Sequence, residues 1–112
     1  MIDQEPYSLH ETWETPLISE MSAGGSPSPV WKIGGKNWRI VIFPKGYKEE
    51  KNYLSIFLMS PKIQAAHKVE FVIRTQGGSK IKSEQCSYTF SQAVPNRGFF
   101  QFIPLNELDQ YT

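Results

Sequence analysis

The sequence predicts an all-β domain, an antiparallel β-sandwich, from three observations. Short runs rich in β-branched and aromatic residues recur along the chain. Apolar and polar side chains alternate within several of these runs, and glycine or proline separates them. No long stretch has the 3.6-residue period of an amphipathic helix. Together these features favour two packed antiparallel sheets.

The individual strands follow from this alternation. A first strand is expected near Trp13, followed by a loop over 19–29 that is rich in Ser, Gly and Pro. Gly77 and Gly78 predict a hairpin, because both tolerate positive φ. Pro104 is well placed to begin one helical turn. Further strands are predicted at 37–43, 53–60, 67–74, 81–91 and 97–103.

The aromatic stretch WKIGGKNWRIVIFPKG, residues 31–46, is predicted to be scaffold. Trp38 alternates with Ile40 and Ile42, which places its side chain in the core. The two glycines at 34–35 predict a turn into this strand. They are not a phosphate-binding loop, because the G-x-x-x-x-G-K-[ST] frame is incomplete and a strand follows instead of a helix.

Composition and charge exclude several classes of protein. The 112 residues suit a single domain over 1–112 that buries about 65% of its unfolded surface, with a flexible N-terminus expected at 1–10. Basic and acidic residues nearly balance, 12 against 11, which argues against nucleic acid as a partner. No segment approaches the ~20 apolar residues of a membrane span, and no signal-peptide pattern is present. A single cysteine, Cys86, favours a reducing compartment, the cytoplasm or nucleus.

Few side chains in the sequence are placed as catalytic groups would be. His10 and His67 lie far apart in sequence and have no other ligand at metal-binding spacing. Cys86 alternates with aromatic residues on a predicted strand, which is typical of an inert, buried cysteine. Glu49 and Glu50 fall in a mixed-charge turn expected to face solvent. We therefore expect no cofactor, no metal and no enzymatic activity of this chain.

Several short motifs occur in a specific order. They are Ser28-Pro29, Gly34-Gly35, Trp38-Arg39-Ile40, Phe43-Pro44-Lys45-Gly46, Leu54-Ser55-Ile56-Phe57-Leu58 and Gly98-Phe99-Phe100-Gln101-Phe102-Ile103. This order resembles the MATH (meprin and TRAF homology) domain, from about Glu11 to the end of the chain. The resemblance implies an antiparallel β-sandwich that binds short extended peptides and is not itself catalytic. It also implies a role in a ubiquitin-pathway adaptor, ligase or deubiquitinase.

The resemblance further implies where a peptide would lie, in a shallow aromatic groove on the outward face of one sheet. Residues 96–99 occupy the slot of an Asp-Trp-Gly-Phe segment, with asparagine in place of the acid and arginine in place of tryptophan. The arginine suggests a preference for acidic or phosphorylated peptides. Carried over by position, the peptide-binding residues are Phe57, Val69, Tyr88, Asn96, Arg97, Gly98 and Phe99.

The end of the chain departs from the resemblance. Family members continue through a turn and a closing strand beyond the position of NELDQYT. The resemblance therefore predicts a fragment or short isoform without its final strand, or a domain completed by another molecule. An unpaired edge favours association, so we expect a homo-oligomer through that edge or marginal stability. The alternative functions are a structural subunit that assembles by strand exchange and a small hydrolase that uses Cys86.

Overall fold

The computed structural model describes residues 11–15, 18–33, 35–48, 52–78 and 80–111. Two 3₁₀ helices, Ile18–Glu20 and Leu105–Tyr111, flank the strands. No helix in these ranges is long and apolar enough to cross a lipid bilayer. The strands are β1 (Ser26–Pro27), β2 (Trp31–Ile33), β3 (Lys36–Phe43), β4 (Tyr53–Met59), β5 (His67–Gly77), β6 (Lys80–Phe90) and β7 (Asn96–Pro104). The predicted all-β, antiparallel class is confirmed.

The larger sheet contains five strands in the order β1-β3-β4-β7, with β2 also paired to β3. Strands β1 and β2 share one edge of β3: β1 pairs with its C-terminal half and β2 with its N-terminal half. Gly35, with φ 79°, lies in the tight turn between β2 and β3, as the Gly-Gly pair predicts. Strand β7 forms the far side of this sheet, beside β4.

The second sheet is the hairpin of β5 and β6. Its ladder runs without interruption from the pair of His67 and Phe90 to the pair of Gly77 and Lys80. Gly78 has a φ of 54° in the connecting turn, which confirms the predicted hairpin. The alternation of the sequence is preserved, so one face of the hairpin packs on the larger sheet.

The core lies between the two sheets and contains two clusters. The first cluster consists of Ile42, Leu54, Ile56, Ile73, Phe102 and Ile103. The second consists of Trp38, Ile63 and Phe90. The prediction that Trp38 is a core residue is confirmed, because only 5% of it is exposed. Its ring meets the Phe90 ring edge-on, with centroids 5.0 Å apart.

Three features of the first third of the chain differ from the sequence prediction. Residues 11–15 form no strand, because no described strand pairs with them; the Trp13 side chain nevertheless packs against the first core cluster. The predicted loop 19–29 contains β1, and β2 was not predicted because three residues are too few to show alternation. The predicted flexible segment 1–10 and the turn at 49–50 lie outside the described residues.

Candidate functional site

Strand β7 ends the larger sheet, and in the described part of the chain it pairs with β4 alone. Its first four residues, 96–99, belong to the predicted site. Gly98 lies opposite Phe57, and Phe99 lies opposite the core residue Ile56. Because paired residues share a face and neighbours alternate, the first pair faces outward and the second faces the core. The predicted site residues are therefore divided between the two sides of the β7 edge.

On the outer side, three aromatic rings pack around the ring of Phe57. Its ring centroid lies 5.7 Å from that of Phe43 and 5.3 Å from those of Tyr47 and Phe100. A cavity of about 200 Å³ opens beside them, which we call the aromatic groove. Its lining residues are Val41, Phe43, Tyr47, Phe57, Met59 and Asn96. The walls are apolar apart from the Asn96 amide and the Tyr47 hydroxyl, so the aromatic groove suits one large apolar side chain.

An irregularity between β4 and β7 shapes the aromatic groove. Three residues of β7, 100–102, lie opposite the single residue Ser55 of β4. The fully buried Ser55 hydroxyl donates a hydrogen bond to the Phe100 carbonyl at 2.7 Å and accepts one from the Tyr47 amide at 3.0 Å. One hydroxyl thus fixes the backbone of two aromatic residues of this surface. The Phe100 side chain points away from the core, opposite to Phe99, and is 46% exposed.

On the inner side, Arg97 and Tyr88 form a cation–π contact. The guanidinium carbon lies 4.9 Å from the centroid of the Tyr88 ring. Tyr88 on β6 pairs with Val69 on β5, and both pack against the second core cluster. Arg97 is exposed, and it forms no ion pair with any residue that the structure describes. This side therefore presents a positive charge that is oriented by an aromatic face and lacks a carboxylate partner.

Two of the predicted site residues have packing roles. Phe99 contacts the first core cluster, with its ring stacked on Phe102 at 5.9 Å between centroids. Gly98 has no room for a side chain, because an added Cβ would collide with the Ile56 carbonyl oxygen. Phe57 and Asn96 line the aromatic groove, whereas Val69, Tyr88 and Arg97 lie on the inner side. That these residues bind a peptide stays a prediction.

The sequence prediction missed five residues of the outer surface. Val41 and Phe43 alternate with the core residues of β3, so their outward direction was readable from the strand pattern. Met59 follows from the same rule on β4. Phe100 follows from alternation with the inward Phe99 on β7, whereas no such signal marks Tyr47, which lies in a loop.

The geometry separates the two candidate catalytic side chains. On the β5–β6 ladder, His67 pairs with Phe90 and Cys86 pairs with Phe71. The two positions are four residues apart, roughly 13 Å along the strands, which is far beyond hydrogen-bond reach. His67 is also exposed, whereas Cys86 is half-buried. Cys86 and His67 therefore do not form the nucleophile–base pair that the hydrolase alternative requires.

An all-β sandwich in which one edge has no partner among the described strands and is flanked by aromatic side chains is an arrangement that protein-interaction domains use. The family model of the MATH domain matches residues 12–112. The chain therefore belongs to the MATH domain family, as its motifs indicate, and the domain is a non-catalytic protein-interaction module.

Similar proteins carry this domain within longer chains. A MATH domain and coiled-coil domain-containing protein of Arabidopsis thaliana is 29% identical over 87% of this chain and 32% of its own length. Ubiquitin C-terminal hydrolase 13 of the same plant is 29% identical over 97% of this chain and 10% of its own. TD and POZ domain-containing protein 2 of Mus musculus is 36% identical over 68% of this chain and 23% of its own. The chain thus spans a third or less of the length of these relatives.

Proposed function

We propose that this domain binds short extended peptides along the outer edge of β7. The observation that carries the proposal is this edge, which has the aromatic groove on one side and the Tyr88–Arg97 pair on the other. A peptide that adds to a sheet edge pairs its backbone groups with the strand. Its side chains alternate between the two faces, so successive residues reach the two flanking surfaces in turn.

The two flanking surfaces supply different contributions to binding. Burial of an apolar peptide side chain against Phe57 and Phe100 supplies most of the contact energy, because aromatic side chains dominate such interfaces. Arg97 selects among peptides by charge. Such short interfaces commonly reach dissociation constants on the order of micromolar, about −8 kcal/mol.

Loss of both flanking aromatic side chains is expected to weaken peptide binding. We expect the double variant Phe100→Ala, Tyr88→Ala to bind roughly tenfold or more weakly than the parent chain, because each surface loses a ring. Fluorescence anisotropy, with a peptide selected from a random library on the parent chain, measures the change. Ile81→Ala is the matched control, since this residue is 54% exposed on the other sheet. Equal affinity of the folded double variant and the control would refute the proposed edge.

Arg97 is expected to give the domain a preference for acidic or phosphorylated peptides. Its guanidinium has no carboxylate partner among the described residues, so a peptide carboxylate or phosphate supplies one. Selection from a random peptide library should therefore enrich acidic residues, and phosphorylation should strengthen binding. Arg97→Trp is expected to remove this enrichment. An unchanged acidic preference in Arg97→Trp would show that Arg97 does not determine which peptides bind.

We further propose that the domain recognises partners or substrates for a ubiquitin-pathway protein in the cytoplasm or nucleus. Two relatives are named ubiquitin C-terminal hydrolases, which supports the pathway. The single cysteine supports a reducing compartment. When the Phe100→Ala, Tyr88→Ala variant replaces the parent domain in cells, the amount of ubiquitin attached to a protein that binds the parent domain should change. An unchanged load, or accumulation of the tagged chain in a secretory compartment, would contradict this assignment.

A further inference from the structure

The loop after β3 places a cation beside the aromatic groove. Its residue Tyr47 packs against Phe57 and Phe100, at 5.3 and 5.9 Å between ring centroids. The ammonium nitrogen of Lys48 lies 5.2 Å from the centroid of the Tyr47 ring, a cation–π contact. Lys48 is exposed, and its ammonium forms no hydrogen bond or ion pair with the described residues. A second positive charge, besides that of Arg97, therefore lies beside the proposed peptide edge.

The backbone of Lys48 supports a role for its side chain. Its φ is 57°, in the left-handed region that a residue with a Cβ rarely adopts. Glycine adopts this region freely, and the same loop uses a glycine, Gly46, at φ 93°. A lysine at such a position costs stability, and residues held in this way concentrate at functional sites. The charge of Lys48 is the property that a glycine would not supply.

Another cation of the outer face is already engaged. Arg39 lies opposite Met59, which lines the aromatic groove. Its guanidinium donates two hydrogen bonds to the Ser28 carbonyl, at 3.1 and 2.8 Å, which hold the side chain against β1 and β2. Lys48 has no such restraint among the described residues, so it is the better candidate to contact a ligand on this face.

Strand β7 gives the spacing of the two cations along the edge. Arg97 lies on the inner side, and Phe100 lies on the outer side three residues further along, in contact with Tyr47. Three strand residues span about 10 Å. A peptide paired with this edge has the same rise, and its side chains alternate in the same way. Two peptide side chains three positions apart therefore lie on opposite faces, one near Arg97 and the other near Lys48.

We propose that the ligand is a peptide with two acidic side chains three positions apart and an apolar residue between them. One carboxylate pairs with Arg97, and the other pairs with Lys48 beside the Tyr47 ring. The apolar residue is the neighbour of the first acid, because Phe57 of the aromatic groove lies opposite Gly98, one position beyond Arg97. This inference rests on the proposed peptide edge, and it adds the position of a second charge and of the apolar residue.

Positional selection and charge exchange test the role of Lys48. A random peptide library selected on the parent chain should enrich acidic residues at two positions three apart. Lys48→Gly is expected to remove the enrichment at one of them, and Arg97→Trp the enrichment at the other, next to the apolar residue.

A selected peptide that has both acids measures the size of the effect by fluorescence anisotropy at low salt. Binding should weaken roughly threefold in Lys48→Gly, which loses an exposed ion pair, and roughly tenfold in Lys48→Glu, which replaces it by repulsion. The same peptide with lysine in place of the second acid should bind Lys48→Glu more tightly than it binds the parent chain.

Lys62 provides the matched control. It is also exposed, has a φ of 61°, and does not line the aromatic groove. Lys62→Gly and Lys62→Glu should therefore bind the peptide as the parent chain does. Lys48→Gly should melt no lower than the parent chain, because glycine adopts a φ of 57° freely, so weaker binding by this variant would not reflect unfolding.

Unchanged enrichment at both positions in Lys48→Gly, or no gain in affinity when the two charges are exchanged, would overturn the inference. The double variant Phe100→Ala, Tyr88→Ala, measured in the same assay, shows which proposal has failed. If it binds weakly, the proposed peptide edge stands and only the role of Lys48 is wrong. If it binds like the parent chain, the edge itself is wrong and the inference is wrong with it.

Discussion

Replacing Gly98 with valine is expected to lower the free energy of unfolding by about 3 kcal/mol or more, enough to leave much of the chain unfolded at 37 °C. A side chain at this position would collide with the Ile56 carbonyl oxygen and would lie 2.5 Å from the Phe57 Cα. Both obstacles are backbone atoms of β4, which cannot turn away as a flexible side chain can. The strands must separate locally, which breaks the ladder beside the bulge at Ser55.

Thermal unfolding followed by circular dichroism measures this effect, and a fall in Tm of roughly 10 °C or more is expected. Gly24→Val is the matched control, because its nearest neighbour would be the Ser22 hydroxyl at 3.8 Å and its φ is not in the left-handed region. Gly98→Ala should fall between the two, since the Cβ alone already meets the β4 backbone. If the Gly98→Val and Gly24→Val chains had the same Tm, the close approach of β7 to β4 at this position would be wrong.

The strand order of a β-sandwich is not readable from alternation, but the strands themselves are. In β3, alternation predicted the inward direction of Trp38, and the same alternation implies the outward direction of Phe43, which the site prediction did not use. The hairpin of β5 and β6 was predicted from Gly77 and Gly78, because a turn with positive φ is a local property of the chain. Pairing between distant segments depends on tertiary packing, so the position of β7 beside β4 came only from the structure.

The candidate site was predicted less completely than the fold. The resemblance supplied positions along the chain but not the faces on which the side chains lie, so it grouped Phe57 with Val69 and Tyr88. The structure places them on opposite sides of one strand edge. Phe100 was missed because the residues carried over from the resemblance end at Phe99, although alternation from the inward Phe99 places Phe100 outward. The bulge opposite Ser55 breaks the alternation only beyond Phe100, where Phe102 is buried.

The division into two faces gives the edge of β7 its chemical asymmetry. One side offers apolar contacts among aromatic rings, and the other offers the guanidinium of Arg97 over Tyr88. In the proposed binding mode, a peptide shifted by one residue would exchange these environments. The proposal therefore implies that side chains, as well as backbone hydrogen bonds, specify the register of the peptide.

Replacing Phe90 with alanine is expected to have a comparably large effect on stability, about 3–5 kcal/mol. The Phe90 side chain is completely buried, with 0% exposure. Its ring lies 5.0 Å from Trp38 on the larger sheet and 5.2 Å from Tyr88 on its own strand, between ring centroids. Removing the ring leaves a cavity at the point where the two sheets meet, and both neighbours lose an edge-on contact.

Chemical denaturation with urea measures the loss, and Phe100→Ala provides the matched control. The chemical change is identical, but the Phe100 ring is 46% exposed on the outer surface, so its removal should cost about 1 kcal/mol. Tyr88 loses one of the rings against which it packs, so Phe90→Ala should also weaken peptide binding while the chain is still folded. If the two phenylalanine variants lost equal stability, the interior position of Phe90 between the sheets would be wrong, because burial is the principal difference between the two sites.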